Sequence, residues 1–170
     1  VWLLRGRIAG RTSRWRQAEE SLDRAARLAP KEAEVPFARA MIRMRQGRMS
    51  EAVELLTSAE QLRPTHSEAR SARAECLRQM GQPRKAIEII GRDPGSPSQA
   101  ITLAESMIDL NDLPAAERVL RNSMGWELRN TSARQHMLRR LGEVKEMQGD
   151  FAEAFACYTR SREGLPVQFN

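Results

Sequence analysis

The chain has 170 residues, of which 41% are hydrophobic and only 5% aromatic, and it carries a net charge of +6. This length suits one ordinary domain or a short repeat array, and the low aromatic content favours packed helices over a β-sandwich. No apolar run approaches the roughly 18 residues that cross a bilayer, so we expect no membrane partner.

The first two predicted helices cover residues 2–12 and 15–28. A small residue, Gly6, precedes Ala18 by twelve positions, and Leu22 follows Ala18 by one helical turn. Proline cannot continue a helix, so Pro30 is expected to end this first unit, which covers about residues 1–32.

The second unit, residues 33–66, repeats this pattern with helices at 34–46 and 50–62. Ala40, Ala52 and Leu56 take the places of Gly6, Ala18 and Leu22. Gly47 stands in the turn, where it can adopt the left-handed conformation that ends a helix.

The third and fourth units cover residues 67–96 and 97–130, with helices at 67–80, 83–91, 97–110 and 113–124. They depart from the pattern in two places: residues 91–97 replace the last turn of a helix, and extra residues fall around 122–132. Each departure is read either as drift in a connecting loop or as a hinge or local change of pitch.

The fifth unit, residues 131–166, has helices at 132–148 and 151–163. With it, the alanine that opens each second helix recurs at intervals of 34, 34, 30 and 38 residues. A small residue stands twelve positions before every one of these alanines, which lets the two helices of a unit approach closely. These small residues are Gly6, Ala40, Ala74, Ala104 and Gly142.

This combination resembles the tetratricopeptide repeat family across essentially the whole chain. The resemblance implies an all-α fold, a right-handed α-solenoid of about five helix-turn-helix repeats and ten helices in one domain, residues 1–170. Because the chain starts at Val1 and not at Met, we expect it to be a piece of a longer protein.

Catalytic and metal-binding patterns do not occur in the sequence. His66 and His136 lack metal-ligand spacing, and His66 is expected to be solvent-exposed in a loop. Cys76 and Cys157 form no CxxC pair and are expected to be buried thiols, which favours a reducing, cytoplasmic location. We therefore predict no enzyme activity in this segment and no cofactor or metal.

The resemblance implies that the first helix of each repeat lines a concave groove that binds a protein or peptide, or another domain of the same chain. Phe37, Met41 and Met44 share one helix face and are the predicted apolar anchor. The full predicted groove comprises Leu3, Arg7, Phe37, Met41, Met44, Arg45, Glu75, Arg78, Ile101, Glu105, Ile108, Arg139 and Glu143.

A nucleic-acid partner is predicted against, although the chain is basic. Residues 1–85 carry a net charge of +8 and residues 86–170 carry −2, so the excess is local. RNA-reading helical repeats need a polar residue at fixed phase, and here that phase ends in Glu75, Glu105 and Glu143, which would repel a phosphate backbone.

The last repeat gives two further expectations. Its residues loosely resemble the repeat before the catalytic region of bacterial sulfotransferases with tetratricopeptide repeats, so the alternative function is a regulatory or substrate-presenting module of a larger enzyme. The last helix pair is also expected to expose apolar surface, which either mediates self-association or packs on residues missing from this sequence.

Overall fold

The structure is a computed structural model that describes residues 1–125 and 131–162. These residues form ten α-helices and no strand, which confirms the predicted all-α fold. In chain order the helices are α1 (Trp2–Arg11), α2 (Trp15–Leu28), α3 (Glu34–Arg45), α4 (Met49–Leu62), α5 (Ser67–Gln79), α6 (Pro83–Ile90), α7 (Pro97–Asp109), α8 (Leu113–Met124), α9 (Thr131–Met147) and α10 (Phe151–Arg162).

The chain divides into two compact units, Val1–Ile89 and Ile90–Asn170. In the first unit α1 packs on α2, α3 on α4 and α4 on α5, and the first helices α1 and α3 also touch. In the second unit α7 packs on α8, α8 on α9 and α9 on α10, and α7 touches α9. Each unit therefore shows the packing of successive helix pairs that the repeat pattern predicts. A single continuous domain and a hinge at residues 91–97 stay predictions.

Five turns between paired helices close in the same way. The residue two positions after the end of each first helix has a φ between 58° and 83°. The N–H of the next residue donates to the carbonyl five positions back, at 2.8–2.9 Å. This is the Schellman closure, which satisfies carbonyls that the helix end leaves free. The left-handed residues are Ser13, Gly47, Gly81, Asn111 and Gly149.

The small residues at fixed phase lie where two helices of a pair meet. Ala40, Ala74 and Ala104 are fully buried. At Gly6 an added Cβ would lie 2.7 Å from Leu22, and at Gly142 it would lie 2.5 Å from the Tyr158 ring. Packed carbon atoms do not approach so closely, so a larger side chain here would force the helices apart. The predicted close approach is confirmed.

An ionic cluster joins three helices in the second unit. Lys145 of α9 is buried, and its Nζ lies 2.7 Å from Glu117 Oε1 of α8 and 3.2 Å from Glu153 Oε2 of α10. Arg121 pairs with the same two carboxylates, at 2.9 Å for Glu117. The hydrogen bond from Lys145 is the main reason that the pKa of Glu117 falls to about 2. The cluster therefore ties α8, α9 and α10 together.

Candidate functional site

The predicted apolar anchor lies on α3 in the first unit. Phe37, Met41 and Met44 are each half-buried and pack against a core cluster that includes Leu56 and Cys76. One side of each residue therefore supports the core, while the other remains open to solvent. The sequence alone left open whether these side chains belong to the core or to the groove. In the structure each one packs partly on the core and is partly exposed to solvent.

The predicted environment of His66 is wrong. It was expected in solvent, but it is 4% exposed, and its ring packs against Phe37 at a tilt of 47° with 4.8 Å between centroids. Its Nδ1 accepts a hydrogen bond from the Ala69 N–H at 3.4 Å, so it is the N-cap of α5. Histidine is not among the usual N-cap residues, so this role could not be predicted from the residue type.

The predicted basic residues of the first unit differ in their roles. Arg45 donates from Nη1 to the carbonyl of Gly10 at 3.0 Å, so it satisfies a free carbonyl at the end of α1 and joins α3 to it. Arg7 is exposed on α1, and no ion pair is formed by it within the described ranges. Leu3 is half-buried against the core cluster that contains Leu22. Arg7 and Arg45 are both exposed, so both guanidinium groups remain accessible to a ligand.

The three predicted carboxylates do not form a free acidic row. Glu75 accepts hydrogen bonds from Arg78 at 2.8 Å and from Gln79 at 2.6 Å, both on the same helix. Glu105 is buried, and its Oε1 lies 2.7 Å from Arg140 Nε. These contacts neutralise the negative charges of Glu75 and Glu105, which were predicted to lie free along the groove.

Arg140 also binds the third carboxylate. Its Nη1 lies 2.7 Å from Glu143 Oε2, so one guanidinium bridges Glu105 of α7 and Glu143 of α9. Arg140 lies one position after the predicted groove residue Arg139, and the repeat periodicity alone gave no reason to choose Arg140.

Ile101 and Ile108 of α7 are half-buried against the core cluster of this unit.

A cleft of about 920 Å³ opens on the α9–α10 pair. Two predicted groove residues, Arg139 and Glu143, line it from α9, and Phe155 and Tyr158 line it from α10. Phe155 is 73% exposed, and the Tyr158 hydroxyl donates to Glu146 at 2.8 Å. Burial, together with this bond to a carboxylate, raises the pKa of Tyr158 to about 12. The cleft combines an exposed aromatic ring with a guanidinium, a pair that suits a peptide.

No catalytic arrangement emerges from the described residues. Within residues 1–125 and 131–162 no cluster of three or more His, Cys, Asp or Glu side chains is placed to hold a metal ion. Cys76 and Cys157 are buried as predicted, and burial raises the pKa of the Cys76 thiol to about 11. Such a thiol is a poor nucleophile at neutral pH. None of the described helices has the length and apolar character of a membrane span.

Family models described as tetratricopeptide repeat match residues 3–67 and 43–95, which together span more than half of the chain. A search of curated proteins gives no match.

Among solved structures, a crystal structure of MamA protein aligns over 99% of this chain and 96% of its own, with a TM-score of 0.72 and 14% identity. MamA from Desulfovibrio magneticus RS-1 aligns over 95% and 94%, with a TM-score of 0.69 and 17% identity. MamA of AMB-1 aligns over 95% and 96%, with a TM-score of 0.68 and 16% identity. At this identity the likeness is one of fold.

Proposed function

The chain belongs to the tetratricopeptide repeat family, and from this premise we propose that it is a non-catalytic module that binds a peptide or an amphipathic helix of another protein. The observation that carries this proposal is the α3 face. Phe37, Met41 and Met44 lie four and three residues apart on it and keep part of their surface in solvent.

The chemistry of this face suits an apolar helix or extended peptide. Methionine is flexible and polarisable, so Met41 and Met44 can adapt to different apolar side chains. Arg7 lies on α1, which touches α3, and its guanidinium is open to an acidic group at one flank of the ligand. An apolar anchor with a charged flank fixes both the position and the direction of a bound segment.

The α9–α10 cleft supports the same kind of function in the second unit. Arg139 has no ion-pair partner within the described ranges, and it faces the cleft together with exposed Phe155. This arrangement provides a guanidinium for a carboxylate and a ring for an apolar side chain. We propose that this cleft binds a peptide segment independently of the α3 face.

The test is a capture experiment with matched variants. Tagged wild-type chain is compared with Met41→Ala/Met44→Ala and with a control, Met49→Ala/Val53→Ala, by quantitative mass spectrometry of captured proteins. All four residues are half-buried against the same cluster, but Met49 and Val53 belong to α4. Both double variants should lose comparable stability, about 1–2 kcal/mol.

Only the α3 variant should lose the partner. Interface anchors commonly cost about 2 kcal/mol or more on truncation, so capture should fall roughly tenfold or more. A partner retained by the α3 variant, or lost equally from the control, contradicts the assignment of binding to this face.

Self-association through the last repeat is a separate proposal. Phe151 and Phe155 lie one turn apart on α10 and are both largely exposed, as expected for a helix that packs against another chain. Light scattering should then show a mass that rises with concentration in the micromolar to millimolar range. Replacing both residues by serine should abolish the rise, and a constant monomer mass in the wild type would refute the proposal.

A further inference from the structure

Helix α1 exposes a pair of large apolar side chains on a face that the predicted groove does not include. Leu4 is 62% exposed and Ile8 is 55% exposed. They are four residues apart, so they stand one above the other along the helix. Leu3 and Arg7, the groove residues of α1, precede them by one position, which is about 100° around the helix. This face is therefore separate from the proposed binding site on α3.

A shallow groove of about 570 Å³ runs beside this pair, between α1 and the start of α2. The apolar lining comes from Val1, Ala9 and the two exposed residues Leu4 and Ile8. Arg5, Arg14 and Gln17 contribute polar groups. The groove therefore has an apolar strip with basic residues at its edges.

Most of the positive charge of this region is not neutralised locally, because Arg16 alone among its arginines forms an ion pair within the described ranges. Residues 1–18 contain five arginines and no acidic residue. Arg14 forms no ion pair within the described ranges, and Arg5 lies over the Trp2 ring at 5.5 Å without a carboxylate partner.

The nearest carboxylates on α2 are already engaged elsewhere. Glu19 Oε1 lies 2.6 Å from Arg43 Nη1, and Asp23 pairs with Arg39, both on α3. Glu20 Oε1 lies 3.2 Å from Arg16 Nε. No carboxylate of α1 or α2 therefore pairs with Arg5 or Arg14.

We propose that this groove binds an acidic amphipathic helix of a partner protein. Apolar residues of that helix, spaced by three and four positions, pack on the ridge formed by Leu4 and Ile8, as helix ridges pack into grooves. Its carboxylates pair with Arg14 and Arg5. A nucleic-acid backbone would satisfy the arginines but leave the apolar strip in water, so the combined chemistry favours a helix.

The test uses a synthetic amphipathic peptide of about 18 residues, long enough to be helical, with leucine on one face and glutamate on the other. Binding to the full chain is followed by fluorescence anisotropy of the labelled peptide. Saturable binding is expected. Its affinity should fall about tenfold or more in Ile8→Glu, because this substitution places a negative charge in the apolar strip, where it repels the glutamates of the peptide. Arg14→Glu should also weaken it severalfold, with a smaller effect at high salt.

Two controls make the result specific. Leu28→Glu changes an exposed leucine of α2 that does not line the groove, so it should leave binding unchanged. A peptide with lysine in place of glutamate should bind at least tenfold more weakly. Circular dichroism of each variant verifies that the fold is retained.

Three outcomes would overturn the proposal. They are the absence of saturable binding, equal affinity for the lysine peptide, and binding that Ile8→Glu does not change. Vesicles of phosphatidylcholine and phosphatidylglycerol are tested in parallel. Vesicle binding that Ile8→Glu abolishes, without peptide binding, would assign the face to a lipid surface instead.

Discussion

Replacing Leu56 by alanine is expected to lower the free energy of unfolding by roughly 3 kcal/mol. Leu56 is fully buried on α4 and packs among Ala40, Ala52 and Cys76. The substitution removes buried apolar surface and leaves a cavity that the close-packed alanines around it cannot fill. Urea denaturation followed by circular dichroism measures the change.

Leu62→Ala is the matched control, because Leu62 lies on the same helix but is 43% exposed. Its loss of stability should stay below about 1 kcal/mol, in line with the smaller buried area. Equal losses for the two variants would show that the repeat core does not centre on Leu56 and its equivalents.

Replacing Lys145 by alanine is expected to cost about 2 kcal/mol of stability. Breaking a buried ion pair leaves an uncompensated charge, which costs more than the pair itself contributes. Here the partial exposure of Glu117 and Glu153, and their second partner Arg121, reduce that cost. Arg16→Ala is the control because Arg16 and Glu20 form a solvent-exposed pair, for which the change should be within about 0.5 kcal/mol.

The pH dependence of stability checks the same cluster. The pKa of Glu117 is lowered from 4.5 to about 2, chiefly by the hydrogen bond from Lys145. A carboxyl with a depressed folded pKa stabilises the fold above its unfolded pKa and loses that contribution as pH falls through its folded pKa. The wild type should therefore lose stability between about pH 4.5 and 2, and Lys145→Ala should lose less. Parallel curves for the two proteins would contradict the role of Lys145.

The helices and their turns could be predicted because the residues that define them recur at fixed spacing in the repeat. The positions of Gly47, Gly81 and Gly149 follow from the need for a left-handed residue at each turn. Gly6 and Gly142 mark contacts too close for a side chain. These requirements are local in sequence or recur at constant intervals, so a single chain reveals them.

The electrostatics of the candidate site could not be predicted in the same way. Glu105 and Glu143 follow the repeat phase, but the Arg140 that neutralises both does not. His66 precedes a helix without being a usual cap, and only the structure shows it buried against Phe37. Partners contributed by another helix leave no periodic signal. The alternative function, a module of a larger enzyme such as a sulfotransferase, stays a prediction, and it is tested by whether the full gene encodes a catalytic domain.

Binding of the partner by the α3 face can be tested by methyl NMR of the methionines. The chain has eight methionines, so each ε-methyl signal can be assigned by substitution. When the captured partner is added to saturation, the signals of Met41 and Met44 should shift. The signals of two other methionines should not shift: Met49, which lies in the same cluster on α4, and Met137, which is fully buried. Saturable binding with unchanged Met41 and Met44 signals would show that the partner does not bind the α3 face.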